Sequence, residues 1–360
     1  MLIGLILTGC GKRDEREVLK EFQNKVNNAD SYYLTGEMEL INNEDVYNYN
    51  IAVSYSKDDY YKIELVNKVN DHEQVILRND DGVYIVTPSL NKSFKFQSDW
   101  PYNNSQVYLL SSILDDINND ENRTFSVSDG VYIFTSSVNY PNNEKLVNQK
   151  IYFGSDYLPT KVEVLDADGN VQISMKFSKI DFKIQFNDTY FDLNSILNTD
   201  DNNATDNNKT TTDNKTTNSN SNAENNENDN NSQAQEPGNN ENTKQTATLD
   251  DIIYPMYLPM NTFLSSQERV NTEDGERMIL TFTGDKSFVL MEETALYSNV
   301  PEIIPTYGDV ELIGSSLAVV NDNSVNWFDN GIEYYIVSDV MNTDELLQVV
   351  RSISVLPVSK

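Results

Sequence analysis

Cysteine and histidine are almost missing. The 360 residues contain one of each, Cys10 and His72. A single cysteine excludes an internal disulfide, and a lone histidine leaves almost nothing for metal or triad chemistry, so no metal site and no cofactor is expected. No apolar run approaches the roughly 18 residues a spanning helix needs. Positive charge is scarce: 26 Lys+Arg stand against 57 Asp+Glu, a formal net charge of −31. Such a surface repels nucleic-acid phosphates and anionic headgroups, which excludes nucleic acid as a partner. Basic partners and loosely held Ca²⁺ stay compatible with the charge, which identifies neither. What is plentiful is Tyr (21) and Phe (14), at a modest 38% hydrophobic content. That profile fits a globular protein with a polar disordered part.

The chain begins "MLIGLILTGC". An apolar run ending in Leu7-Thr8-Gly9-Cys10 matches the bacterial lipobox, in which small residues before the cysteine admit the processing peptidase. The sulfur then carries diacylglycerol, and two acyl chains suffice for stable anchoring. Residues 1–10 are thus expected to be a signal remnant ending at a lipidated Cys10. The run is short and lacks Lys or Arg before it, which points to a start further upstream or a trimmed signal. The alternative is a buried apolar strand with a free thiol.

Residues 15–29 place Val18, Phe22, Val26 and Ala29 at helical spacing. From Tyr32 to Tyr190 the period becomes two, with about ten strands rich in Val, Ile, Tyr and Phe. Asp81-Gly82, Asp129-Gly130 and Asp168-Gly169-Asn170 separate them as turns. This predicts an antiparallel meander, interrupted by a covering helix over 105–117. Residues 200–248 lack every large apolar residue and are Asn-rich; such a tract cannot offset its ordering entropy, so 196–248 reads as a disordered linker. From Leu249 to 360 a hairpin across Gly284-Asp285, two further strand regions and a closing helix capped at Thr343 predict a small α+β domain. The fold class is mainly β with covering helices.

The candidates for chemistry are thin. "DADGN" at 166–170 shares the start of a Ca²⁺ loop but lacks its helices and distal Glu, so a turn is expected. "GSSLA" at 314–318 approaches a nucleophile elbow, yet ends in Ala318 with no histidine after it. His72 reads as an exposed loop residue. No enzyme is expected. The stretch "DGVYIVTPSLNKSFKFQSDWP" (81–101) concentrates aromatics and lysines. In a regular strand Lys92, Phe94, Phe96 and Trp100 face one way and Lys95 the other. The aromatics either fill the interior of a curved sheet, with lysine stems over its rim, or line an open cavity. In the second case Tyr84, Lys92, Phe94, Lys95, Phe96, Trp100 and Tyr102 are the candidate ligand- or partner-binding residues.

A helix, an antiparallel series with "DGVYIVTP", then "YLPTKVEVLDADGNVQISMKFSKIDF" resembles the bacterial lipoprotein-carrier superfamily (LolA, LolB and RseB) over residues 15–195. "TPSLNKSFKFQSDWPYNNSQVYLL" resembles more narrowly the YdcC/GerS-type lipoproteins of spore-forming Firmicutes. "VNWFDNGIEYYIVSD" before "DELLQVVRSI" resembles an uncharacterised domain of other Gram-positive membrane-attached proteins. The resemblance implies a LolA-like open half-barrel plugged by helices. It also implies a non-enzymatic lipoprotein outside the cytoplasmic membrane, or between forespore and mother cell, tied to sporulation or germination. An envelope protein, such as the cortex-processing amidase with which the group's germination lipoprotein acts, is the implied partner. A carrier or sensor for an acyl chain or lipoprotein is the alternative. A tethered protein cannot shuttle, so transport does not carry over.

Overall fold

The computed structural model describes residues 10–353, except 43–44, 58, 97–99, 102–103, 198–248, 250 and 273–274, and of 10–13 the backbone alone. The first nine residues, Tyr102 and most of the expected linker lie outside the described residues. So does the side chain of Cys10.

The helical stripe near the start forms α1 (Cys10–Asn27), which buries Val18 and Phe22. The alternating segments then pair in sequence as β1 (Ser31–Asn42), β2 (Asp45–Ser56), β3 (Tyr60–Asn67), β4 (Glu73–Asn79), β5 (Gly82–Thr87) and β6 (Lys92–Phe96). The chain crosses through α2 (Leu110–Asn119) to β7 (Thr124–Ser128), β8 (Val131–Ser137), β9 (Leu146–Phe153), β10 (Pro159–Asp166) and β11 (Val171–Asp181). β11 returns beside β1, so the antiparallel order runs β6-β5-β4-β3-β2-β1-β11-β10-β9-β8-β7. The turns behave as their residues dictate. Asp129 and Gly130 both take positive φ (51° and 80°) between β7 and β8, the geometry of a two-residue hairpin whose twist matches its strands. At "DADGN" the Asp166 carboxylate accepts from the backbone N–H of Asp168 (3.0 Å) and Asn170 (2.8 Å). Those bonds hold its pKa below the usual range, and the motif is a turn.

α1 and α2 cover one face of this sheet. Phe22 meets Phe153 edge-on at 5.0 Å, and Leu110, Ile113, Leu114 and Ile117 enter the same buried cluster. α2 starts at Leu110, later than the spacing suggests, because residues 105–109 form an irregular lead-in. On the other face, Val75, Leu77, Tyr84 and Val86 are covered by Phe191 and Leu197.

The C-terminal part forms a second open sheet. It contains β12 (Thr262–Asn271), β13 (Glu276–Gly284), β14 (Phe288–Thr294), β16 (Asp309–Ile313), β17 (Ser316–Val320), β18 (Ser324–Asp329) and β19 (Ile332–Val337), in the order β12-β13-β14-β19-β18-β17-β16. α3 (Thr343–Val350) packs Leu346, Leu347 and Val350 against Leu280, Trp327 and Ile336. Its cap is Asn342, not Thr343: Asn342 Oδ1 accepts from Glu345 N–H (2.9 Å) and the Glu345 carboxylate accepts from Asn342 N–H (3.1 Å), a capping box.

One strand departs from this sheet. β15 (Glu302–Thr306) leaves its neighbours and pairs in parallel with β6, Glu302 opposite Lys92 and Thr306 opposite Phe96. The first sheet therefore has twelve strands and remains open, ending at β15 and β7. The molecule is mostly β with few helices, as the alternation predicts. Among the described residues no helix is long and apolar enough to cross a membrane.

Candidate functional site

Of the residues singled out from the 81–101 stretch, Lys92 and Phe94 meet the second sheet at the seam. β6 lies antiparallel to β5, with Ile85 opposite Phe94 and Tyr84 opposite Lys95. Phe94 and Phe96 are each 1% exposed. Phe94 stacks on Phe328 of β18, 5.0 Å between centroids and 18° between planes, so its open side is filled by the second sheet. Lys92 places its ammonium 3.0 Å from the Glu302 carboxylate and 5.9 Å above the Phe328 ring. Trp100 is buried edge-on to Tyr61 at 6.2 Å, and its carbonyl accepts from the Arg78 guanidinium. Tyr84 is buried on the opposite face, with Lys95 Nζ 5.3 Å above its ring. These side chains are packed inside the chain rather than on an open face.

Polar contacts run along the same seam. Asn91 Nδ2 donates to the Ser298 carbonyl (2.9 Å), while Ser298 and Glu302 N–H donate to the Leu90 and Asn91 carbonyls (3.0 Å each). The Tyr49 hydroxyl donates to the Gly314 carbonyl. Arg351 donates to the Asn142 carbonyl (3.0 Å), and Asn142 donates to Glu311 (2.9 Å). Between these bonds Val310, Leu317, Val319 and Phe328 share one buried cluster with Met38, Ile51 and Phe94. Gln74 is pivotal: its Oε1 accepts from the Leu317 N–H at 2.6 Å, and Gln74 is buried. Replacing it by Leu orphans a buried N–H, which costs about 1–3 kcal/mol. Urea unfolding of Gln74→Leu should show that loss, and an unchanged midpoint would rule out this contact as a clamp.

A cavity of about 100 Å³ remains at the seam, walled by Met38, Leu40, Tyr108, Tyr140, Glu311 and Arg351 among others. Burial pushes the Glu311 carboxyl up, partly offset by the Asn142 hydrogen bond and the Arg351 guanidinium. Burial also lowers Arg351 and raises both tyrosines well above their usual value. The walls therefore set neutral phenols and apolar side chains beside Glu311, Arg351 and several amides.

Sequence spacing missed one grouping. His72, expected in an exposed loop, is half-buried, and its Nε2 is buried without a hydrogen-bond partner among the described residues. Desolvation lowers its pKa, opposed by the nearby Asp329 carboxylate. Asp329 accepts from Ser315 Oγ at 2.6 Å, so the "GSSLA" segment and the single histidine are neighbours across the seam. Only the fold brings them together, since they are over 240 positions apart. Ser316 is buried within the seam. Among the described residues, no three of His, Cys, Asp or Glu are grouped to hold a metal ion.

The geometry defines a mostly β protein whose two open sheets are joined by one strand and a shared core. Residues 1–191 match the family described as "Sporulation protein YdcC-like". Across 353 residues, 98% of this chain and 94% of the relative, the chain is 30% identical to the "Sporulation protein YdcC" of Bacillus subtilis (strain 168). The chain belongs to the sporulation protein YdcC-like family, as its residues suggest. Solved structures give looser likenesses. A chain of the Pseudomonas aeruginosa MucA/MucB complex is 12% identical with a TM-score of 0.29, covering 94% of this chain and 97% of that one. A chain of the Clostridioides difficile CwlD amidase–GerS lipoprotein complex is 19% identical, TM-score 0.29, covering 52% and 100%.

Proposed function

We propose that this chain is a lipoprotein, tethered through Cys10 to the extracytoplasmic face of the membrane, that serves sporulation or germination by binding an envelope protein rather than by catalysis. The observation that carries it is identity of 30% over nearly the whole chain to a protein named for sporulation. The lipobox at Leu7–Cys10 supplies the anchor. In this reading residues 15–195 act as a LolA-like half-barrel, to whose covering layer Ile196 and Leu197 still belong, the linker runs from there to 248, and 249–360 act as a second small α+β domain. Tyr84, Lys92, Phe94, Lys95, Phe96 and Trp100 support the binding body from within, and Tyr102, outside the described residues, is carried with them as a binding candidate. The partner is a cell-wall enzyme of the cortex-processing amidase kind.

In sporulating cells, Cys10→Ala should move the protein from the membrane fraction to the soluble fraction and lower the yield of germination-competent spores. A variant that stays on the membrane with unchanged spores would refute the anchor. The soluble chain starting after Cys10 should capture an envelope enzyme from such cells; reconstitution with that enzyme purified would confirm the pair.

The partly apolar cavity at the seam supports a second reading, a carrier or sensor of acyl chains. Its volume of about 100 Å³ lies below the roughly 300–1,000 Å³ of small-molecule pockets, so this reading requires the seam to open. Native mass spectrometry decides: a bound acyl species supports the carrier, and a bare chain opposes it.

A further inference from the structure

The two sheets have four outer edges: β15 and β7 on one, β12 and β16 on the other. A free edge is a row of unpaired N–H and C=O groups that recruits another strand, and proteins blunt it by shortness or proline. Three edges obey that rule. β7, β15 and β16 have five residues each, and β15 carries Pro305. β12 does not: it has 10 residues and no proline, an edge of about 34 Å at 3.4 Å per residue. Its first N–H, that of Thr262, donates to the Pro259 carbonyl (3.1 Å), and beyond that no backbone hydrogen bond to another described residue is made on its outer side. A bulge at Ser265 interrupts its inner ladder and leaves 266–271 regular.

The surroundings of this edge differ from the rest of the chain. Residues 252–267 carry no charged side chain, in a chain of net charge −31. Met256, Met260 and Phe263 are 85%, 84% and 60% exposed, with Tyr257 and Leu264 exposed beside them in sequence. The nearby cations are already neutralised: Arg269 by Glu276, Arg277 by Glu293 and Lys286 by Glu345. Exposed Asp251, Glu268 and Asp285 are left as the charge bordering the uncharged run and the start of β14. Exposed apolar side chains leading into the edge, with an acidic border, select an apolar segment with basic ends. A second copy would bring another −31 to the contact, and a bilayer would leave the edge N–H groups unpaired.

We propose that the outer edge of β12 is a docking site for an extended partner segment, apolar in the middle and flanked by Lys or Arg, which adds to the sheet as an eighth strand. This deepens the binding role above and rests on it. The test is separable, because it uses neither lipid anchor, cells nor native partner.

The probe is a labelled synthetic peptide of alternating valine and threonine with two lysines at each end, titrated into the full soluble chain by fluorescence anisotropy. Three results are expected. The peptide binds saturably. N-methylation of alternate residues on its pairing edge weakens binding about tenfold or more, because the ladder bonds are lost. Replacing its lysines by glutamates, or making Glu268→Lys in the protein, weakens binding about threefold, an effect that fades with salt. Absence of saturable binding, or equal binding of the N-methylated peptide, overturns the proposal. So does a concentration-dependent dimer in sedimentation that the peptide does not dissociate, which gives the edge to a second copy, or partition onto phosphatidylcholine vesicles. If the peptide fails while the soluble chain still captures an envelope enzyme, the edge assignment falls and the binding role stands.

Discussion

Phe94→Ala should lower the unfolding free energy by about 3–5 kcal/mol, the usual range for removing a buried phenylalanine. The ring is 1% exposed, opposite Ile85 within its own sheet and stacked on Phe328 of the other. Removing it empties space in a cluster to which both sheets contribute, so the loss falls on their attachment as well as on β6. Two readouts separate these effects. Urea unfolding gives the total. A double-mutant cycle with Phe328→Ala gives the pair energy, expected at about 0.5–1.5 kcal/mol for stacked aromatics. A total below about 1 kcal/mol would mean that the site collapses easily and the seam does not depend on this ring.

The second large effect is a dependence on pH. Glu292 on β14 is fully buried and accepts from the Ile253 N–H at 3.1 and 3.2 Å. Burial pushes its carboxyl from 4.5 up to about 7, with the hydrogen bond opposing. The folded state therefore binds a proton that the unfolded state has released by pH 7. The stabilisation is fully present below about pH 4.5 and is lost as pH rises through about 7. The difference is on the order of 3 kcal/mol. Asp116, pushed up to about 6 by burial against the Ser105 and Gln149 hydrogen bonds, adds a smaller loss of the same sign. Glu292→Gln keeps an acceptor for Ile253 and removes the titration. Its stability should fall less steeply than the parent's between pH 5 and 8, the remaining slope coming from Asp116 and from the other carboxyls that burial raises, Glu311, Asp329 and Glu333, and it should exceed the parent at pH 8 by a few kcal/mol. Equal slopes for parent and variant over that range would sink the argument.

Much of this architecture was legible because it is written in local periodicity. Val75, Leu77, Tyr84 and Val86 alternate with Ile76, Val83 and Ile85, and the structure sorts them onto two separate cores. Asp129-Gly130 specified its own turn. The first helix was visible in Val18 and Phe22, and the turn at "DADGN" in Asp168-Gly169-Asn170. Periodicity is silent on what covers a face. It put Phe94 and Phe96 on one face of a regular strand, leaving open whether that face was filled or hollow, and could not name Phe328, 234 positions later. β15 was missed because "EIIPT" is five residues long, contains a proline and shows no alternation; its partner, not its sequence, makes it a strand. Thr343 was chosen as a cap over Asn342 although Glu345 three residues after Asn342 completes a capping box, a signal that was present. His72 looked exposed because its neighbours are polar, while the burying surface comes from the far end of the chain.

The β6–β15 pairing sets an order of manufacture. Lys92 waits for Glu302, 210 positions further along, so the strand that finishes the first sheet is made long after the other eleven. Until then a nascent chain presents the β6 margin, with Phe94 and Phe96 behind it, to whatever it meets. Pairing so distant in sequence is slow to close, and unfinished margins of this kind are where growing chains clump. Maturation of the amino-terminal part is thereby made contingent on arrival of the carboxy-terminal part.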